Sequence, residues 1–334
     1  MGRVGKQTMI FKNPPVIQCA YSTAGPREAQ GPMGDYFDYK LEDELLGEET
    51  WEKAEARMIN ETIKRLLKKA NKQPSDIDYI YAGDLQNQVM ASTFGIKEFN
   101  IPYFGLYGAC STLGESITLA SINIAAGMGD LVIAGTSSHN CVAEKQFRFP
   151  LEYGGQRTET QTWTSTASGF VLLSRNGEGP CITAATPGKI IDLGVIDTFN
   201  MGAAMAPAAV DTIVTHLEDT KQKPEDFDAI ITGDLGKCGY DIAIDLAGKM
   251  GVDLSKVLND GGKIMYHENQ GTKCGGSGCG CIASIFTGYL YKEMLNKKMK
   301  KILIVPTGAM LSQSSTQQGN SIPGIAYGVC VEMR

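Results

Sequence analysis

The sequence repeats itself at a separation of 150 residues. Aligned without a gap, residues 61–85 and 211–235 are identical at ten of 25 positions. Both copies read as a helix, a proline-containing turn and an apolar strand that ends in Gly-Asp-Leu. The helices are predicted to begin near residues 62 and 212, and Pro74 and Pro224 to end them. Such a chain should fold as two similar halves related by a pseudo-twofold axis.

A second matching pair of elements follows each copy. Residues 111–127 predict a helix and 130–135 a buried strand, and 277–297 and 301–308 predict the same pair in the second half. β-Branched strands that alternate with helices are typical of a mostly parallel sheet covered on both faces. The pattern predicts an α/β protein, with a ligand site where strand ends and helix starts meet between the halves.

Composition places the chain among soluble globular proteins. Its 334 residues suffice for two core-forming halves, which we assign to 1–185, with an insertion at about 140–162, and to 186–334. The formal net charge is −6, and no basic region suited to nucleic acid is predicted. No signal peptide and no run near the roughly 18 apolar residues of a membrane span is found, so a soluble, cytoplasmic protein is expected.

The nine cysteines are odd in number and scattered, which favours reduced thiols over a disulfide framework. Cys274, Cys279 and Cys281 lie close together in the sequence. Their spacing matches neither paired zinc motifs nor iron–sulfur runs, and the chain has only three histidines. We predict no metal site and interpret these small residues as allowing a helix start to approach its pseudo-symmetric partner closely.

Cys110 follows the glycine-rich run 104–109 and precedes an amphipathic helix. Free N–H groups of a first helical turn and the helix dipole stabilise a thiolate, so the pKa of this cysteine is expected to lie below its ordinary value. Two roles are open at this point. Cys110 is either a nucleophile or one wall of an anion site.

The run Gly108-Ala109-Cys110-Ser111, followed by residues 125–135, resembles the nucleophile segment of thiolases and ketoacyl-ACP synthase III. The duplicated α/β pattern agrees with this resemblance, which implies a five-layer αβαβα thiolase-like fold. With residues 20–26, 261–281 and 324–328 included, the whole chain resembles a family of sporulation proteins within that superfamily.

Condensing enzymes of this type combine the cysteine with a histidine and an asparagine, which stabilise the thioester enolate. Matching the family pattern places Gly233 at the histidine, with Asp234 next to it, and Gly276 at the asparagine. We therefore predict no catalytic residues and a former enzyme whose pocket still binds a ligand. The two glycines are expected to leave room for a ring.

The candidate ligand-binding residues are Cys110, His139, Gly233, Asp234 and Gly276. His139 follows the strand that returns from the Cys110 helix, so it is either a pocket donor or a loop histidine satisfied by solvent or backbone.

The remaining candidates lie outside this set. We interpret His216, on an exposed stretch of helix, and His267, near a turn, as structural. Arg148 and Arg157 lie in the inserted segment, where the family resemblance implies a dimer rim or the mouth of the pocket.

The resemblance implies a function. It is the non-catalytic binding of dipicolinic acid (pyridine-2,6-dicarboxylate) for uptake into the developing spore. Helix N-termini and backbone N–H groups suit such a dianion. Implied partners are membrane proteins of the same sporulation operon, which would hold the chain peripherally at the spore inner membrane, and a second copy of the chain. No cofactor is implied, and Ca²⁺ would enter only together with dipicolinate.

Two other functions remain open from the sequence. A thiolase-type acyltransferase would use Cys110 with His139 or Asp234 as helpers and would need a tunnel for a phosphopantetheine arm. A scaffold without ligand would have its pocket closed by side chains such as Met90, Tyr107 or Met201.

Overall fold

The computed structural model describes residues 2–147 and 156–334. The strands in these ranges are β1 (Gly2–Val4), β2 (Thr8–Ile10), β3 (Val16–Ala24), β4 (Tyr39–Lys40), β5 (Tyr79–Gly83), β6 (Tyr103–Gly105), β7 (Leu131–Ser138), β8 (Trp163–Thr164), β9 (Ala167–Ser174), β10 (Pro180–Pro187), β11 (Ala229–Thr232), β12 (Leu258–Asp260), β13 (Gly276–Ser277), β14 (Lys301–Val305), β15 (Thr307–Ala309) and β16 (Gly324–Met333).

The helices in the same ranges are α1 (Pro26–Ala29), α2 (Trp51–Lys69), α3 (Met90–Ile96), α4 (Thr112–Ala125), α5 (Asn140–Phe147), α6 (Met201–Thr220), α7 (Gly236–Lys249), α8 (Gly261–Met265), α9 (Cys279–Ser284), α10 (Tyr291–Leu295) and α11 (Gln313–Gln317). A π-helical segment, Ile285–Leu290, joins α9 to α10. None of the helices described is both long and apolar enough to cross a membrane.

The strands form two half-sheets with the same order. The first is β6-β5-β7-β9-β3 and the second is β12-β11-β14-β16-β10. In each half-sheet the first three strands are parallel and the last two pairings are antiparallel. The half-sheets meet where Val16 of β3 pairs with Cys181 of β10. The predicted duplication is confirmed, while the predicted boundary after residue 185 falls inside β10.

Helices cover both faces of each half-sheet. Helices α2 and α3 lie on the outer face of the first, α6 and α7 on that of the second, and α4 and α9 lie between the two. Successive side chains of a strand enter different layers: Ile80 packs with the outer helix α2, and Tyr81 joins the central cluster around α4. Ile230 and Ile231 alternate in the same way in the second half. The predicted five-layer αβαβα arrangement is thus present.

The repeat extends further upstream than the sequence identity shows. Helices α2 and α6 begin 150 residues apart, and each is capped by the residue before it, Thr50 or Asn200, whose side-chain oxygen accepts a backbone N–H. The predicted starts, near residues 62 and 212, were eleven residues too late. Pro74 and Pro224 do not end the helices but begin separate 3₁₀ turns.

One repeated aspartate has the same task in both halves. Asp78 Oδ2 accepts the backbone N–H groups of Asp130 (2.7 Å) and Leu131 (3.0 Å), at the start of β7. Its counterpart Asp228 accepts those of Lys300 and Lys301 (2.6 and 2.9 Å), at the start of β14. Each carboxylate joins the beginnings of two parallel neighbouring strands, which gives a physical reason for this identity in the repeat.

Candidate functional site

Cys110 lies between the two halves, on the turn that leads into α4. Ala109, just before it, has a φ of 50°, which is costly for a residue with a side chain. The turn is pressed against β15, since a Cβ on Gly308 would lie 2.3 Å from the carbonyl oxygen of Gly108. Such backbone strain at a cleft is typical of functional sites.

A narrow cavity opens beside the sulfur of Cys110. Its volume is about 60 Å³, room for only a few water molecules. Both halves contribute to its wall, and the lining residues are Leu85, Tyr107, Ala109, Cys110, Ala143, Glu144, Phe147, Gln161, Thr162, Thr164, Thr198, Met201, Ser277, Ala309 and Leu311. A scaffold without ligand was expected to have its pocket closed by Met90, Tyr107 or Met201. Of these three side chains, Tyr107 and Met201 line the cavity and Met90 does not. A phosphopantetheine arm does not fit a cavity of this size.

The thiol of Cys110 is protonated at neutral pH. Burial raises its pKa well above 9, and the nearby Asp234 raises it further, while N–H donation from Gly278 opposes the shift only in part. The nearest helical N–H groups are already used, since Ser111 donates to Gly108 and Thr112 to Ala109. The expectation of a low pKa was therefore wrong, because desolvation outweighs the helix terminus.

This protonation state can be tested by alkylation. We expect iodoacetamide at pH 7.5 to modify Cys110 at least tenfold more slowly than it modifies free cysteine, whose pKa is about 8.5. Peptide mass spectrometry on the native protein gives the rate at each position, and the half-buried Cys238 serves as the internal reference. Rapid labelling of Cys110 would show a stabilised thiolate and contradict this account.

The structure places His139 away from the cavity lining. Its ring is buried, and Nε2 lies 2.8 Å from the backbone carbonyl oxygen of Glu44, to which it donates. Burial lowers the pKa of this imidazole. Nδ1 has no hydrogen-bond partner among the residues described. Held by backbone and kept neutral, His139 is not positioned as a base for Cys110.

Asp234 is a buried carboxyl group close to Cys110. It is fully buried, its φ is 75°, and neither carboxyl oxygen has a hydrogen-bond partner in the described part of the chain. Burial, followed by the charge of Asp260, raises the pKa of Asp234 well above its ordinary value. Asp260 itself accepts four hydrogen bonds, from Thr232 and from the N–H groups of residues 235, 236 and 263. Asp234 lacks the donors that Asp260 has, and its burial favours the neutral form of the carboxyl group.

The two glycines at the predicted histidine and asparagine positions do not open into free space. A Cβ on Gly233 would lie 2.6 Å from Cβ of Ile282. A Cβ on Gly276 would lie 3.1 Å from Tyr266 and 3.2 Å from the sulfur of Cys281. The expectation that these glycines leave room for a ring was wrong, because neighbouring side chains already fill that space.

Cys279 packs beside Cys110 without lining the cavity, in agreement with the predicted close approach of the two helix starts. Helix α9 begins at Cys279, three residues beyond Gly276, and Cys279 packs in one cluster with Cys110, Ala109 and Leu85. Its thiol donates to the carbonyl oxygen of Ser137 (2.9 Å). Despite these thiols, no group of potential metal ligands occurs among the described residues.

Charge at the cavity comes from an ion pair. Arg157 Nη2 lies 2.7 Å from Oε1 of Glu144, which lines the cavity, and Nη1 donates to the carbonyl oxygen of Thr162 (3.3 Å). The guanidinium also lies 4.3 Å from the ring centre of Trp163. The guanidinium of Arg27 lies 4.0 Å from the same ring centre. Arg157 therefore contacts the cavity wall. Arg148 lies outside the described residues.

The other two histidines are remote from the cavity. His216 is fully buried, not exposed as expected, and its Nδ1 lies 2.7 Å from Oγ1 of Thr186. Burial lowers the pKa of His216 to about 4. His267 is exposed beside a 3₁₀ turn. A protonated thiol with no histidine beside it is a poor nucleophile.

The comparisons with known proteins agree with this geometry. Residues 5–332 match the family model "Stage V sporulation protein AD (SpoVAD)". The chain is similar to stage V sporulation protein AD of Bacillus subtilis (strain 168), with 40% identity over 332 residues, which are 99% of this chain and 98% of the relative.

Solved structures with a similar fold include an acyl-carrier-protein synthase and OleA. 3-Oxoacyl-[acyl-carrier-protein] synthase III from Aquifex aeolicus has a TM-score of 0.57 and 13% identity, with 95% of this chain and 99% of that chain covered. OleA from Xanthomonas campestris has a TM-score of 0.60 and 12% identity, with 99% and 100% covered. These likenesses confirm the thiolase-like fold, and the full-length match shows that this chain belongs to the stage V sporulation protein AD family.

Proposed function

We propose that this chain is a non-catalytic binding protein for dipicolinic acid and is needed for its uptake into the developing spore. The observation that carries the proposal is the state of Cys110. It lines a cavity between the halves, as a condensing nucleophile does, yet burial keeps its thiol protonated and Gly233 and Gly276 supply no donor side chains. A pocket that lacks an activated nucleophile and its helper side chains, in a family of sporulation proteins, supports ligand binding rather than catalysis.

Arg157 is the group best suited to receive a carboxylate of the ligand. Its guanidinium touches Glu144 and Thr162 in the cavity wall, and a bidentate arginine–carboxylate pair is among the strongest polar contacts. A ligand carboxylate would compete with Glu144 for this cation. The hydroxyls of Thr164 and Ser277 offer further donors in the cavity wall, and Ser277 Oγ accepts the hydrogen bond of the Thr162 hydroxyl (2.9 Å).

Dipicolinate requires the cavity to widen, because about 60 Å³ does not hold a substituted pyridine ring. Tyr107 and Met201 are the lining side chains that need to move, and Tyr107 is already 39% exposed. We further propose that Asp234, as a neutral acid beside Cys110, donates a hydrogen bond to the bound anion. The assignment of His139, Gly233 and Gly276 to the ligand stays a prediction.

The proposal includes the partners of the chain and its location in the cell. Membrane proteins of the same operon would hold the chain peripherally at the spore inner membrane, and a second copy would form a homodimer. Ca²⁺ would enter only as the ion of calcium dipicolinate.

Calorimetric titration with dipicolinate, with and without Ca²⁺, tests the function. We expect saturable binding that Arg157→Gln weakens by roughly 10–100-fold, since hydrogen bonds to charged groups are worth about 1.5–3 kcal/mol. Cys110→Ala should weaken binding less than Arg157→Gln does. His139→Ala tests whether His139 contributes to dipicolinate binding. Arg175→Gln is the matched control, because Arg175 pairs with the exposed Asp130. Pyridine-2-carboxylate, with one carboxylate, should bind more weakly.

A scaffold without ligand is the second candidate function, favoured by the small volume of the cavity and by Tyr107 and Met201 in its wall. Absence of dipicolinate binding under all conditions would contradict the carrier proposal. Labelling of Cys110 by acyl-CoA would then support the acyltransferase alternative, and its absence would support the scaffold.

A further inference from the structure

Two cysteines outside the cavity are in direct contact. Cys238 lies in the first turn of α7, and its backbone N–H is 2.9 Å from the sulfur of Cys274. Next to them, the N–H of Lys237 donates to the carbonyl oxygen of Cys274 at 2.7 Å. The two segments are thus fixed beside each other, and we expect rotation of the two cysteine side chains to bring the sulfurs to the disulfide bond length of about 2.05 Å.

The two thiols differ in access to solvent. Cys238 is half-buried, whereas Cys274 is only 2% exposed. Burial raises the pKa of Cys274 to about 12, which makes its thiolate scarce at neutral pH. An external oxidant therefore meets Cys238 first, and Cys274 is placed to react second. This division between an accessible and a resolving thiol is typical of redox-sensitive pairs.

We propose that Cys238 and Cys274 form a reversible disulfide by exchange with a low-molecular-weight disulfide such as oxidised glutathione. Attack of the Cys238 thiolate on that disulfide forms a mixed disulfide and releases one small thiol. The Cys274 thiolate then attacks the sulfur of Cys238, forms the intramolecular bond and releases the second small thiol. The small disulfide is reduced to two thiols, and the protein loses two hydrogen atoms.

The bond would connect α7 to the wall of the cavity. Cys274 donates its N–H to the carbonyl oxygen of Gln161, a lining residue, and residues 276–277 pair with Trp163 and Thr164. Ser277, three positions after Cys274, lines the cavity as well. Oxidation would therefore fix the segment 274–278 to the start of α7 and stabilise one shape of the cavity wall.

The test is incubation of the whole protein with oxidised glutathione at pH 8, followed by intact mass and non-reducing peptide mapping. We expect a loss of 2 Da (about two hydrogens), one peptide pair that joins residues 238 and 274, and reversal by dithiothreitol. Because the bond closes a loop of about 37 residues, the melting temperature should rise by roughly 5 °C.

Cys238→Ser and Cys274→Ser should each abolish the cross-link. Cys141→Ser should not, since Cys141 is also half-buried but contacts Glu44. A cross-link at another pair, such as Cys110 with Cys279, would overturn the proposal. So would a mixed disulfide that persists on Cys238 without resolution.

Discussion

Gly233→His is expected to destabilise the protein by roughly 3–5 kcal/mol, although the family resemblance implies a histidine at this position in the condensing enzymes. Adding a Cβ at this position places it 2.6 Å from Cβ of Ile282 and 3.0 Å from both its γ-carbons, and Ile282 is fully buried. Overpacking of a dense core costs about 1–3 kcal/mol, and a buried imidazole without a partner costs about as much again. Urea denaturation followed by circular dichroism measures the loss.

Two further variants separate packing from other causes. Gly233→Ala adds only the clashing atom and is expected to lose about 1–3 kcal/mol, so the prediction remains testable where the histidine variant does not fold. Gly248→His is the control, because a Cβ on the exposed Gly248 meets nothing within 4 Å and a glycine in a helix is unfavourable. Equal losses at positions 233 and 248 would show that the contact with Ile282 is not responsible.

Asp234→Asn is expected to stabilise the protein by at least about 1 kcal/mol at pH 8, because the buried amide is no worse partnered than the neutral acid, whereas the aspartate of the unfolded chain gains free energy by ionising. The group has a folded-state pKa raised well above its unfolded value, so its ionisation disfavours the folded state as pH rises above about 4. The gain from Asp234→Asn should therefore be larger at pH 8 than at pH 5. Urea denaturation at both pH values measures it.

The repeat supplies a matched control, Asp84→Asn, for which we expect a loss of stability instead of a gain. Asp84 is the counterpart of Asp234 and is also fully buried, but its carboxylate accepts N–H groups from Gln86 (2.8 Å) and Ser92 (2.7 Å). Asp84→Asn should lose stability, since an amide replaces one acceptor oxygen with a donor. An equal loss of stability in both variants would show that the Asp234 carboxyl group accepts or donates a stabilising hydrogen bond, contrary to the prediction. If Asp234→Asn gains stability but binds dipicolinate less tightly, the carboxyl is kept for the ligand.

The architecture was accessible from the sequence because it follows from local patterns. The 150-residue repeat and the buried β-branched strands predict two similar α/β halves with a ligand site between them, and the two observed half-sheets have the same strand order. The family resemblance added the αβαβα layering. These properties depend on periodicity and on chain order, which a single sequence contains.

The chemistry of the site was less accessible because it depends on distant contacts. The pKa of Cys110 is set by burial and by Asp234, more than 100 residues away in the chain. Contact with the carbonyl oxygen of Glu44 holds His139, and Ile282 fills the space at Gly233. No periodic pattern encodes such contacts. The contact of Cys279 with Cys110 is different, since the duplicated pattern predicted that two helix starts approach each other there.

The intrinsic fluorescence of Trp163 can report ligand binding, because its ring contacts two arginines beside the cavity. Trp163 lies between the guanidinium groups of Arg27 and Arg157, and its neighbours Thr162 and Thr164 line the cavity. Any ligand that draws Arg157 away from Glu144 must also change the surroundings of this indole. The sequence has only one other tryptophan, Trp51, which is 41% exposed at the start of α2. A Trp51→Phe variant would therefore report occupancy of the cavity by intrinsic fluorescence, without a dye.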